Sequence, residues 1–200
     1  MMKQFMTALA CVGVLVISAA PAAQAAQGDW LGRARVIYID PRSSSSALNI
    51  DVDSQFAPEL DFSYFVTRNL ALELILATRK HGVSAAGVPI GSVKHLPPTL
   101  TLQYHFKPDQ KFRPYVGAGL NYTRFYDVDL LGGTLTVDKS SWGPAIQAGI
   151  DIEIDKRFFL NFDIKKIWMD TDVKAVATGA PVANLKIDPM IIGAGIGIKF

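Results

Sequence analysis

Three histidines, a handful of aspartates outside the hydrophobic stretches, and a set of charges placed every second residue are the groups in this 200-residue chain able to do chemistry. A histidine beside a serine or a carboxylate would make an acyl-transfer centre. None of His81, His95 and His105 has a serine at a recognisable spacing. His81 falls in a polar segment, and His105 lies among charges that it can join as a hydrogen-bonding partner. The acids Asp51, Asp53, Asp127, Asp129, Asp170 and Asp172 lack the ordered spacing of a calcium loop. The only cysteine, Cys11, lies near the start, so thiolate chemistry and cysteine-based metal sites are excluded from the remainder. No metal or cofactor is expected. The net charge of +2 gives no basic footprint for nucleic acid.

The charges at alternate positions are more informative. Arg33 and Arg35 share one face of Trp30–Asp40, Asp61 and Glu73 recur on equivalent faces, and Asp151, Glu153, Asp163 and Lys165 follow. The intervening residues are bulky and apolar. A period of two is that of a strand with two unlike faces. Eight stretches read this way: Trp30–Asp40, Gln55–Val66, Leu70–Thr78, His95–Phe106, Arg113–Tyr126, Ser141–Ile154, Phe158–Met169 and Pro189–Phe200. Their connections alternate long and short. Met1–Gln4 with Lys3, the apolar run Phe5–Ala20 and the small-residue site Ala23-Gln24-Ala25 read as a secretory signal peptide, residues 1–25, leaving a mature chain of 26–200. No later stretch supplies the ~20 apolar residues of a membrane helix.

A secreted chain whose strands are apolar on one face and charged on the other has a closed barrel as its membrane solution. The expected fold is all-β: an eight-stranded antiparallel transmembrane β-barrel with short periplasmic turns and long extracellular loops, in the bacterial outer membrane. Trp30, Phe62, Tyr64, Tyr104, Phe106, Phe158, Trp168 and Phe200 would form its aromatic girdles. The soluble counterpart, a lipocalin-type barrel, would put its apolar face inside. Pro97 and Pro98 interrupt one strand and predict a bulge or local opening there.

The segments His95-Leu96-Pro97-Pro98-Thr99-Leu100 and Phe112-Arg113-Pro114-Tyr115-Val116-Gly117-Ala118-Gly119-Leu120-Asn121-Tyr122-Thr123 closely resemble the OmpW family. Ser141-Trp142-Gly143, Trp168-Met169-Asp170-Thr171-Asp172 and Asp188-Pro189 match as well, so the resemblance spans the mature chain. It implies an eight-stranded outer-membrane barrel with a hydrophobic channel for small apolar compounds. The terminal strand ending in Phe200 resembles the signal that the barrel assembly machinery recognises.

With that strand register, Ile39, Ile75, Pro97, Phe125, Ile167 and Met169 are expected to line an apolar upper lumen. Arg33, Arg35, Glu73, His105, Asp151, Glu153, Asp163 and Lys165 are expected to form a polar floor. A small hydrophobic molecule entering from outside would then leave sideways into the bilayer, where Pro97 and Pro98 loosen the wall. The expected partners are such molecules, outer-membrane lipid and lipopolysaccharide, and the assembly machinery. Two other readings stand beside this one: a structural or receptor barrel whose loops bind a partner, and a lipid A-modifying enzyme using His95 or His105.

Overall fold

The computed structural model describes residues 27–200. The signal-peptide assignment, with Cys11, lies outside the described residues. Fifteen strands run in chain order: β1 Trp30–Asp40, β2 Ser44–Ser45, β3 Ile50–Val52, β4 Gln55–Phe65, β5 Leu70–Ala77, β6 Arg79–Ala85, β7 Val88–Leu96, β8 Thr99–His105, β9 Phe112–Leu130, β10 Leu135–Val137, β11 Ser140–Glu153, β12 Phe158–Ile167, β13 Asp170–Ala175, β14 Pro181–Lys186 and β15 Met190–Lys199. Eight of them (β1, β4, β5, β8, β9, β11, β12 and β15) pair antiparallel in a closed ring. Closure leaves no sheet edge in the ring, the condition for spanning hydrocarbon with strands.

Alternation decides what faces where. In β4 the odd residues Ala57, Glu59, Asp61, Ser63 and Phe65 are buried, and the even residues between them are exposed. The exposed set around the ring is bulky and apolar, including Val36, Leu60, Leu100, Leu120, Ile146, Ile164 and Ile192. Aromatic rings bound this band at both ends. Trp30 and Tyr64 sit at the short-turn end, their ring centroids 5.0 Å apart, and Tyr122 and Trp142 at the other, 4.7 Å apart. This is the exterior of a lipid-facing barrel.

The long connections hold more order than their composition suggests. The sequence reads Asp40–Asp53, Arg79–Lys94, Asp127–Lys139 and Asp170–Ile187 as loops. Instead, β2, β3, β6, β7, β10, β13 and β14, with the upper part of β9, build a paired extension above the spanning strands. The β6–β7 hairpin turns at Ala86-Gly87, both at positive φ (49° and 78°), a backbone that suits a two-residue hairpin loop. Inward residues of the extension, including Ile50, Val83, Val93, Leu130, Val173 and Leu185, join Ile37, Ile39, Phe125, Ile167 and Met169 in one apolar core.

Candidate functional site

From the short-turn end upward, the interior falls into three layers. The lowest is an apolar seal of Leu31, Phe65, Ala71 and Phe159. Gly197 makes room for it: a Cβ there would overlap the Phe159 ring. His105 lies just above, its ring stacked on Tyr115 (5.0 Å, 26°) and its Nε2 3.0 Å from Gln103 Oε1. Glu153 stands apart, half-buried near the mouth, with its carboxylate 3.4 Å from Arg113.

The second layer is charged. Arg33 reaches Asp61 at 2.8 Å and Asp151 at 3.0 Å, and donates to Ser63 Oγ at 2.9 Å. Arg35 reaches Glu59 at 2.8 Å and Asp61 at 2.5 Å. Lys165 lies 2.7 Å from both Glu59 and Asp163. Three cations thus face five carboxylates, counting Glu73. Neutral donors meet the excess: Gln147 and Thr101 donate to Glu73, Asn161 to Asp151, and Tyr115 to Asp163. Of the eight expected floor residues, six are in this ion-pair network, while His105 and Glu153 lie below it. Glu59, on the inward face of β4, is a further member that sequence reasoning left out, although its place in the β4 alternation marks it as inward.

Above this layer the interior is apolar and contains two adjoining cavities of about 30 and 50 Å3. A single water needs on the order of 10–15 Å3 on the same measure, so each has room for a slim molecule. The lower one is bounded by Ile37, Ile75, Ala77, Pro97, Ile167 and Ile191, with Glu59 and Lys165 also in its lining. The upper one is walled largely by the extension, through Val83, Val93, Leu130, Val137 and Val173, with Phe125. Ile39, His95, Met169 and Pro189 line both. All six residues expected to line the lumen border one cavity or the other.

The strand ladder beside the lower cavity is interrupted. Ile75 on β5 pairs with Thr99 on β8, and four residues on Arg79 pairs with His95, so the register is continuous. Between these pairs, Leu76, Ala77 and Thr78 oppose Pro98, Pro97 and Leu96 with no strand pairing. The chemistry of Pro97 explains the break. The Pro98 carbonyl accepts from the Tyr122 N–H on β9, so by strand alternation the peptide groups of Pro97 are those turned toward β5. Proline has no N–H to give. The Pro97 carbonyl is already taken by Thr99 Oγ1 (3.2 Å) and Asn121 Nδ2 (3.3 Å). Ala77, opposite, therefore lacks both halves of a ladder bond.

His81 and His95 sit above the spanning strands, their rings stacked 4.8 Å apart. Burial pushes both imidazoles toward the neutral form, His95 down to about 3, and the neighbouring His81 adds to the effect on His95. Among the described residues neither ring is hydrogen-bonded to a serine or a carboxylate, and no three potential ligands cluster to hold a metal.

A family model for OmpW matches residues 26–200. The chain belongs to the OmpW family. OmpW-family relatives include Outer membrane protein W of Vibrio cholerae, 34% identical over 220 residues that cover all of both chains. An uncharacterised outer-membrane protein, y4mB, of Sinorhizobium fredii is 39% identical over 92% of this chain and 88% of its own. The crystal structure of the outer membrane protein OprG from Pseudomonas aeruginosa superposes with a TM-score of 0.79 at 29% identity, covering 88% of this chain and 98% of that one. Membership places this chain in the outer membrane, among barrels and not among enzymes. The short turns β4–β5, β8–β9 and β11–β12 are then periplasmic, and the extension lies outside.

Proposed function

We propose that this OmpW-family barrel admits small hydrophobic molecules from the outside into its upper cavities and releases them sideways into the bilayer between β5 and β8. The observation that carries this reading is the stretch Leu76–Thr78, which lacks pairing on its β8 side and is placed against a largely apolar cavity. Passage straight through is opposed by the layer beneath, where Arg33, Asp61, Asp151 and Glu73 are fully buried and bonded to one another. An apolar solute cannot replace those bonds, and separating them costs several kcal/mol per ion, on the order found for buried pairs. The sideways path needs no such separation. Leu76 and Leu96 stand at the edges of the break with exposed side chains, so a molecule leaving there stays among apolar groups.

In this reading Ile39, Ile75, Pro97, Phe125, Ile167 and Met169 line the route. Arg33, Arg35, Glu59, Asp61, Glu73, Asp151, Asp163 and Lys165 close it below. Phe200, exposed at the end of the barrel wall with its N–H donating to the Trp30 carbonyl, serves as the assembly signal.

The test is uptake of a short alkane by vesicles with a lipopolysaccharide outer leaflet, comparing the unmodified barrel with Ile75→Trp and Ile167→Trp. Folding of each is checked by heat-modifiable gel mobility. Uptake above that of empty vesicles, abolished by either indole, is the expected result. Uptake no greater than that of empty vesicles, with all three barrels folded, would overturn the reading and leave a structural or loop-binding barrel.

A further inference from the structure

The upper cavity is apolar almost throughout, and the exceptions are specific. His81 and Thr171 both line it, both are buried (3% and 5% exposed), and each has a polar atom, Nε2 and Oγ1, without a hydrogen-bond partner among the described residues. An unmet buried polar atom costs roughly 1–3 kcal/mol, so two in one small cavity call for an explanation.

The protonation of His81 follows from its other nitrogen. Nδ1 lies 2.8 Å from the Asp53 backbone carbonyl, which can only accept. Nδ1 therefore carries the hydrogen, and in the neutral ring Nε2 is left as a lone-pair acceptor. Burial favours that neutral ring, and the Arg79 guanidinium adds to it, against the opposing pull of Asp53. The stacked His95, itself held neutral by burial, supplies no charge at the site. Thr171, on β13 and in the lining of the same cavity, offers a hydroxyl that donates or accepts.

We propose that His81 and Thr171 form a hydrogen-bonding subsite that selects hydrophobic molecules carrying one neutral hydroxyl group. Such a group donates its hydrogen to His81 Nε2, while its apolar body lies against residues such as Val83, Val93 and Phe125, and Thr171 Oγ1 is the second polar atom of the same lining that a hydroxyl can meet. A pure hydrocarbon leaves both atoms unmet. A carbonyl or ether satisfies Thr171 alone, because it has no hydrogen for Nε2. A carboxylate brings a charge into an apolar cavity and presents lone pairs to a lone pair. This deepens the transport reading and rests on it: it names the class of cargo for the same cavity.

The test uses 1-butanol and 1-chlorobutane, matched in chain length but differing in the ability to donate. Barrels in detergent micelles carry 15N-labelled histidine and 13C-methyl methionine. The Met169 methyl resonance reports cavity occupancy, and the His81 Nε2 resonance reports a hydrogen bond to that nitrogen. Both compounds are expected to shift Met169, and only the alcohol to shift Nε2. The alcohol-to-chloroalkane affinity ratio is expected to fall about three- to tenfold in His81→Phe and in Thr171→Val, the range of a single net hydrogen bond. Taking the ratio cancels detergent partitioning, and the Nε2 signal of the unmodified barrel decides the matter even if a variant does not fold. Chlorobutane shifting Met169 while butanol leaves Nε2 unmoved would overturn the subsite and leave the transport reading standing. An Nε2 resonance already at its hydrogen-bonded position without alcohol, and unchanged by it, would do the same, with water as the partner. No response of Met169 to either compound would overturn the cavity's role, and the subsite with it.

Discussion

At the scale of residues, the charged layer sets the strongest constraint. Arg33 is the centre of it, with Asp61, Asp151, Ser63 and Glu73 within bonding distance and the rings of Tyr115 and Phe159 at 5.3 and 5.6 Å from its guanidinium carbon. Removing one member strands its partners without water. Arg33→Met is expected to destabilise the barrel by about 3–5 kcal/mol, the range for breaking a buried pair from one side. Urea unfolding in thin lipid vesicles measures this, and a loss below ~1 kcal/mol, the value of a surface pair, would contradict the network. The histidines give a pH dependence whose sign is fixed. The folded pKa of His95, about 3, lies below the ordinary value near 6.5. Between those values the unfolded chain binds more protons, so the contribution is full above about pH 6.5 and is lost as the pH falls toward 3. Acidification is therefore expected to loosen the β6–β7 hairpin, and the ring resonances of His95 should not titrate above about pH 5. A midpoint near 6.5 would place the ring in water.

At the scale of elements, the break between β5 and β8 has a specific cause that can be reversed. Because Ala77 has no ladder partner on β8, its amide is expected to exchange with solvent about tenfold or more faster than that of Ile75, two residues before it in the same strand. Pro97→Ala supplies the missing N–H, and Asn121→Ala removes one of the two side-chain donors on the residue 97 carbonyl. The double variant should slow exchange at Ala77 and reduce alkane uptake, with the rest of the barrel unchanged. Faster uptake from a paired wall would contradict the account. How legible this was in the sequence differs by element. The eight spanning strands could be read because each side chain alternates between lipid and lumen, as Phe56 to Phe65 shows without interruption. The proline pair announced the interruption of the ladder because a missing N–H is a property of the residue itself. The extension was not legible. Its strands are as short as the two residues of β2 and the three of β10, glycine or proline interrupts β6, β7 and β14, and β13 is mostly polar, so these strands resemble loops by composition. Only their pairing reveals that Val83, Val173 and Leu185 face one cavity.

At the scale of the whole molecule, the barrel stacks an apolar seal, a charged plug and an apolar chamber along one axis. The charges destined for the plug were legible as inward-facing residues, but their partners were not. The pairs Arg33–Asp151 and Lys165–Glu59 join residues 118 and 106 positions apart, which only the closure of the ring brings together. With the plug below and the extension walling the chamber above, the proposed path has its door at the ladder break between β5 and β8. The most direct measurement is to lock it. In Thr78→Cys/Leu96→Cys, which leaves Pro97 in place, the two opposed positions can form a disulfide across the break, and the mature chain has no other cysteine if the leader carrying Cys11 is removed. Alkane uptake by lipopolysaccharide-faced vesicles is compared before and after dithiothreitol, with the cross-link followed by gel mobility. Uptake lost in the oxidised barrel and restored on reduction is the expected result. Equal uptake in both states, with the disulfide shown to be formed, would contradict sideways release at this site.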